Sequence, residues 1–308
     1  MSKYVLMVAG LLVASCTFPS GSNQQAPHQK LHPNLAQIGL GELVQRQLTE
    51  RYNDTRANCG AATQPAFLCS GILIRATDYS PNYHVWDNSL ESHRKGGVSF
   101  AYIRKDSKFP SIVAGTLSRD GYLLSPAFYA YGKLAPQVLC SFPLNAGTRL
   151  RDGTGCGAYT DLPVSRPCQE QGITSADEWF SHYRANGLDS RYQCGFDVKI
   201  ALDIDATTAF KATLEAMALL QATSLPFTNN ELRLAVWPDG QGNNLSLQAF
   251  YYDAQHQDTS RPSAQNNQLD FKNTTGLSVP IIAIVFPENP AQDFTFSYLP
   301  GDQIVDIP

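Results

Sequence analysis

The chain has 308 residues, 43% hydrophobic and 16% charged, with a formal net charge of -4 and a pI near 5.8. This composition supplies an ordinary core and excludes a disordered chain. The acidic balance, with Lys and Arg gathered in no one segment, argues against a nucleic-acid partner.

Met1, Ser2 and Lys3 are followed by an uncharged run from Tyr4 to Ala14. A short basic start before an apolar stretch reads as a secretory signal. The stretch is too short to cross a bilayer, which takes roughly 20 apolar residues. Val13, Ala14, Ser15 and Cys16 resemble the lipobox of bacterial lipoproteins, which implies acylation of Cys16 and cleavage before it. Thr17 in place of Asp implies the outer membrane in proteins of that kind. An ordinary signal peptide cut elsewhere is the competing reading. Residues 16–34, rich in Pro, Ser, Gln and Asn, read as a flexible tether behind a signal over residues 1–15. The lipid anchor at Cys16 is then the expected membrane contact.

The spacing of Leu40, Leu43, Val44, Leu48 and Tyr52 predicts an amphipathic helix over 40–52. Strands are predicted over Gly71 to Ala76 and around Val98, Phe100 and Tyr102. Residues 77–97 between them are polar and too long for a hairpin turn, and loops of that length are often functional. Gln137 to Phe142 reads as a further strand. Ser175 and Glu178 form a capping-box pattern before Trp179, Phe180 and Tyr183, with Gly187 as a stop. Residues 206–222 read as a helix on Phe210, Leu214, Met217 and Leu220. Strands follow at Glu231 to Trp237, Leu245 to Tyr252, Val279 to Phe286 and Phe294 to Leu299. With no repeat and no proline-rich linker, residues 35–308 read as a single α+β domain with a change of character near residue 200.

Beyond Cys16 there are six cysteines, Cys59, Cys69, Cys140, Cys156, Cys168 and Cys194. An even number in an exported chain predicts disulfides, and no Cys-x-x-Cys or short His spacing suggests a metal. Proximity suggests Cys59–Cys69 and Cys156–Cys168 among fifteen pairings. All six lie before residue 195, so the C-terminal third is expected to hold by packing.

No Gly-x-Ser-x-Gly elbow, Walker loop or dinucleotide-binding Gly-x-Gly-x-x-Gly is present. Pairing of all six cysteines would also leave no thiolate nucleophile. What remains is Arg75 at the end of one predicted strand, Ser99 and Phe100 in a second, and Glu231 at the start of a third. These resemble the Arg, Ser and Glu elements of the ADP-ribosyltransferase fold. That resemblance implies an arginine holding a dinucleotide, a serine supporting the pocket and a glutamate acting at the nicotinamide ribose. The chain from Leu40 to Ile304 is also similar to the halovibrin family of secreted bacterial proteins, on residues 67–77 (FLCSGILIRAT), 96–104 (GGVSFAYIR), 138–142 (VLCSF) and 193–196 (QCGF). The likeness implies NAD glycohydrolase activity, with NAD as substrate and no separate cofactor. Asn229 stands where arginine-modifying transferases carry a second Glu, which favours water over a protein acceptor.

Glu231 and Arg75 are therefore the candidate catalytic pair. Ser99 supports the pocket, and Trp86, Phe100 or Tyr102 are candidates to stack on nicotinamide. Cleavage of the ribose–nicotinamide bond develops positive charge on the sugar, which a carboxylate stabilises. A guanidinium fork matches two phosphate oxygens. Each residue also has a plain structural reading, as strand-end, strand-face or core residue. Glu170, between Gln169 and Gln171, is a rival carboxylate. The alternative function is a non-catalytic envelope lipoprotein that acts as a binding module, in which Arg75, Ser99 and Glu231 would be scattered.

Overall fold

The computed structural model describes residues 39–61, 63–76, 98–109, 119–124, 138–146, 156, 166–199, 205–223, 228–234, 247–289 and 291–308. The signal, Cys16, the tether, and the 77–97 loop with Trp86 lie outside the described residues.

Nine strands build one sheet among these residues: β1 (Ile72–Ala76), β2 (Val98–Ile103), β3 (Asp120–Leu124), β4 (Val138–Phe142), β5 (Phe196–Asp197), β6 (Glu231–Leu234), β7 (Leu247–Asp253), β8 (Ile281–Val285) and β9 (Thr295–Tyr298). Their order is β5-β4-β6-β2-β1-β3-β7-β8-β9. The β7–β8 pair is parallel and the other neighbours are antiparallel. Four α-helices accompany the sheet: α1 (Leu40–Asn53), α2 (Ala176–Ala185), α3 (Ala206–Ala222) and α4 (Gln257–Thr275). The protein is thus an α+β fold, and strands from either side of residue 200 interleave in the same sheet.

Pleating divides most of the strand residues between two cores, because successive side chains point to opposite faces, while Cys140 and Phe142 of β4 form a smaller cluster with Ala146 and Cys156. Leu73, Phe100, Tyr102, Tyr122, Leu232 and Leu234 pack with residues of α2, α3 and α4. Ile72, Ile74, Ala101, Ile103 and Leu123 pack on the other face with Val44, Leu48 and Tyr52 of α1. Helix α2 begins as its sequence predicts. The Ser175 hydroxyl accepts from the Glu178 N–H while the Glu178 carboxylate accepts from the Ser175 N–H, a complete capping box. Gly187 follows with φ of 73°, the left-handed region that glycine enters at no steric cost.

Helix α4 carries no apolar run, and periodicity did not predict it. Its buried residues are Ser260, Ala264, Gln268 and Phe271, and Pro262 lies inside it. It is needed as the crossover that lets β8 run parallel to β7. The cysteine-free C-terminal region is held by packing and also by the amide side chains of Gln303, half-buried, and Gln268, buried. Gln303 accepts from the Ile281 N–H (2.8 Å) and donates to its carbonyl (3.1 Å). Gln268 donates to the Val279 carbonyl (2.8 Å) and accepts from the Ile304 N–H (3.1 Å).

The disulfides are Cys59–Cys69, Cys140–Cys156 and Cys168–Cys194. Sequence proximity is right for the first and wrong for Cys156–Cys168. The pairing of β4 with β5 opposes Cys140 to Asp197, and the Cys168 N–H bonds to the Gly195 carbonyl at 2.9 Å. The sheet thereby hands Cys168 to Cys194 and leaves Cys140 for Cys156. Such bridges belong to an oxidising environment, periplasmic or extracellular. Among the described residues no helix is long and apolar enough to cross a membrane.

Candidate active site

Glu231 opens β6, and register decides where its carboxylate goes. Ser99 of β2 is opposite Arg233, so by the two-residue period Glu231, Arg233 and Ser99 share one face. The Ser99 hydroxyl donates to Glu231 Oε1. On its other side β6 pairs with β4, with Phe142 opposite Glu231. The chain beyond β4 then brings the Ala146 N–H to Glu231 Oε2 at 2.6 Å. Each carboxylate oxygen thus has a donor, and the side chain is held from both neighbouring strands at 3% exposure.

Arg75 lies near the end of β1, opposite Tyr122 of β3. That register puts its side chain on the face packed against α2, α3 and α4, opposite to the Glu231 face. The β1–β2 rungs run from Ile72↔Ile103 to Ile74↔Ala101. Beyond the last of them the Arg75 guanidinium reaches the Ser99 carbonyl, with Nη1 to O at 2.7 Å. Three residues remote in sequence are therefore joined through one: Ser99 accepts from Arg75 through its backbone and donates to Glu231 through its side chain. A ligand that touched both charged groups would have to lie across the ends of β1 and β2.

The two residues before Glu231 are structural rather than acidic. The Asn230 side chain accepts from the Tyr102 N–H (2.7 Å) and donates to the Tyr102 carbonyl (2.9 Å). This imitates one more rung of the β2–β6 ladder and fixes the register in which Glu231 meets Ser99. Asn229 turns its amide to the Asn230 carbonyl at 2.8 Å. Sequence reasoning missed both Asn230 and Ala146. A buried asparagine directly before a strand was the available signal for the first, whereas a backbone N–H leaves none.

Phe100 and Tyr102 do not serve as ring stackers here, and the expectation is corrected. Both are fully buried. Phe100 meets Tyr122 edge-on at 5.8 Å and Tyr102 meets Phe210 at 5.1 Å. The alternation that puts Ser99 on the site face turns them into the opposite core. Burial also pushes the Tyr102 phenol up to about 12. Trp86 lies outside the described residues. The rival Glu170 is exposed, and Gln169 beside it pins β5 through the Asp197 backbone at 3.0 Å.

Among the described residues no cluster of His, Cys, Asp or Glu is placed to hold a metal ion. No protein-family model matches the chain, and no curated protein matches it.

Proposed function

We propose that the protein is an exported NAD glycohydrolase with an ADP-ribosyltransferase-like site, anchored at the outer membrane through acylated Cys16. The observation that carries this reading is the hydrogen-bonded relay in which Ser99 takes the Arg75 guanidinium on its carbonyl and gives its hydroxyl to Glu231, which links the two charged groups across the sheet from opposite faces. In the proposed reaction the bond from ribose C1′ to the nicotinamide nitrogen breaks, and nicotinamide leaves with the electron pair. The carboxylate of Glu231 stabilises the oxocarbenium-like sugar. Water then adds at C1′ and releases a proton, giving ADP-ribose. Ser99 and the Ala146 N–H orient the carboxylate, so little reorganisation is left for the moment of reaction. Arg75 binds phosphate oxygens through its fork.

Asn229 and Asn230 support water as the acceptor, since no second carboxylate sits two residues before Glu231 to prepare a protein nucleophile. The burial of Glu231 favours one other reading, a structural clamp that ties the 143–146 segment to β6 in a non-catalytic lipoprotein. Incubation of purified protein with NAD separates the two. The enzyme reading expects nicotinamide release that falls at least about a hundredfold in Glu231→Gln. No release above that variant would leave the clamp.

A further inference from the structure

The Ala146 N–H that meets Glu231 belongs to the same rigid peptide unit as the Asn145 carbonyl, because the peptide bond is planar. Whatever holds that carbonyl therefore aims the N–H. Gln193 holds it: its Nε2 donates to the carbonyls of Leu144 (3.2 Å) and Asn145 (3.4 Å). Gln193 is fully buried and lies three residues before β5, whose Phe196 opposes Ser141 of β4.

Its own position is set by the residue after it. Cys194 is bridged to Cys168, and its carbonyl accepts from the Trp179 indole N–H of α2 at 3.2 Å. The Gly195 carbonyl accepts from the Cys168 N–H at 2.9 Å. Gly195 also packs so closely on the Cys140 sulfur and the Phe142 ring that a Cβ there would overlap both. A continuous line of contacts runs from the Cys168–Cys194 bridge through Gln193 and the 145–146 peptide to the Glu231 carboxylate.

We propose that Gln193 is a positioning residue for Glu231, and that the Cys168–Cys194 bridge makes this positioning conditional on oxidation. The carboxylate would then be set for NAD cleavage only after the chain has left a reducing compartment. The inference rests on the reading of Glu231 as the reacting carboxylate. Reduction by a dithiol transfers two electrons and two protons to the bridge, giving two thiols and the oxidised cyclic dithiol. It frees Cys194 from Cys168 and loosens the backbone that carries Gln193.

The test compares wild type, Gln193→Ala and Gln193→Glu with all bridges intact, and Cys168→Ser combined with Cys194→Ser. Two readouts are taken: hydrogen exchange of the Ala146 amide, with the Tyr102 amide as internal control, and kcat and KM for nicotinamide release from NAD. Gln193→Ala and the double serine variant are expected to lose about tenfold or more of Ala146 protection and of kcat. KM should stay within about twofold and Tyr102 protection should be kept. Gln193→Glu should match Gln193→Ala at neutral pH, because a carboxylate cannot donate to the carbonyls, and recover as its side chain is protonated. A merely structural glutamine would show no such pH profile. Unchanged Ala146 protection in Gln193→Ala overturns the inference, even if the double serine variant unfolds. Wild type that releases no nicotinamide removes the proposed activity instead, and the Ala146 amide still decides whether Gln193 and the bridge set the carboxylate.

Discussion

Ser99 illustrates how one residue can serve two charged neighbours at once. Its side chain and its carbonyl leave the strand in different directions, so Glu231 takes the hydroxyl and Arg75 takes the backbone oxygen. The arrangement makes Arg75 more than a point charge. A guanidinium can keep the Ser99 carbonyl with one nitrogen and still present others to a phosphate, whereas an ammonium has a single centre for both tasks. Arg75→Lys is therefore expected to raise KM for NAD about tenfold with a smaller effect on kcat, measured by steady-state nicotinamide release. An unchanged KM would take Arg75 out of substrate binding. Arg75, Ser99 and Glu231 were all legible as candidates because each sits at a strand boundary beside a readable motif. Phe100 and Tyr102 were misassigned for a related reason. A period of two says that neighbours face opposite ways, but not which face is the core.

Elements were legible where their signals are local. Helix α2 is marked by two residues, Ser175 and Glu178, that contact each other across a single turn, and both contacts are made in the fold. Ser175→Ala removes the acceptor for the Glu178 N–H and should lower stability by about 1 kcal/mol, read as a shifted urea midpoint with an unchanged slope. Helix α4 shows the opposite case. Its inner stripe includes Ser260 and Gln268, which are buried because they have partners elsewhere. The Ser260 hydroxyl bonds to the Asp253 carbonyl at the end of β7 at 3.1 Å and Gln268 bonds to the Val279 carbonyl. A hydrophobicity pattern cannot register a residue that is buried through hydrogen bonds. Strand β3 is five residues long and contains Asp120 and Gly121. Asp120 is buried because Ser263 and Asn267 of α4 donate to it, at 2.9 and 3.2 Å. These two elements, neither of them predicted from the sequence, thus explain each other in the fold.

Across the whole molecule the burial of phenols makes a pH prediction. Desolvation by burial raises Tyr52, Tyr102, Tyr251 and Tyr252 above the ordinary tyrosine value. A group whose folded pKa is raised keeps a proton that the unfolded chain has already released. Its contribution is complete below the unfolded value of 10.0 and is lost as pH climbs towards the folded one, about 12 for Tyr102. Stability should therefore fall above pH 10.0, with Tyr102 contributing about 1.4 kcal/mol per pH unit. Urea melts over that range, with Tyr102→Phe showing a shallower slope, would check it; a flat profile would contradict the burial.

Composition, the parity of the cysteines and the two periodicities decided the fold class, the redox setting and most helices and strands, because each depends on a few neighbouring residues or on a count. Strand order, the partners of Cys140 and Cys168, and the meeting of Ser99 with Glu231 were decided by tertiary structure alone. Those facts rest on register between strands that lie far apart along the chain, as Ser99 and Arg233 do on β2 and β6. Shifting such a register by one residue leaves every local pattern unchanged and turns every side chain to the opposite face.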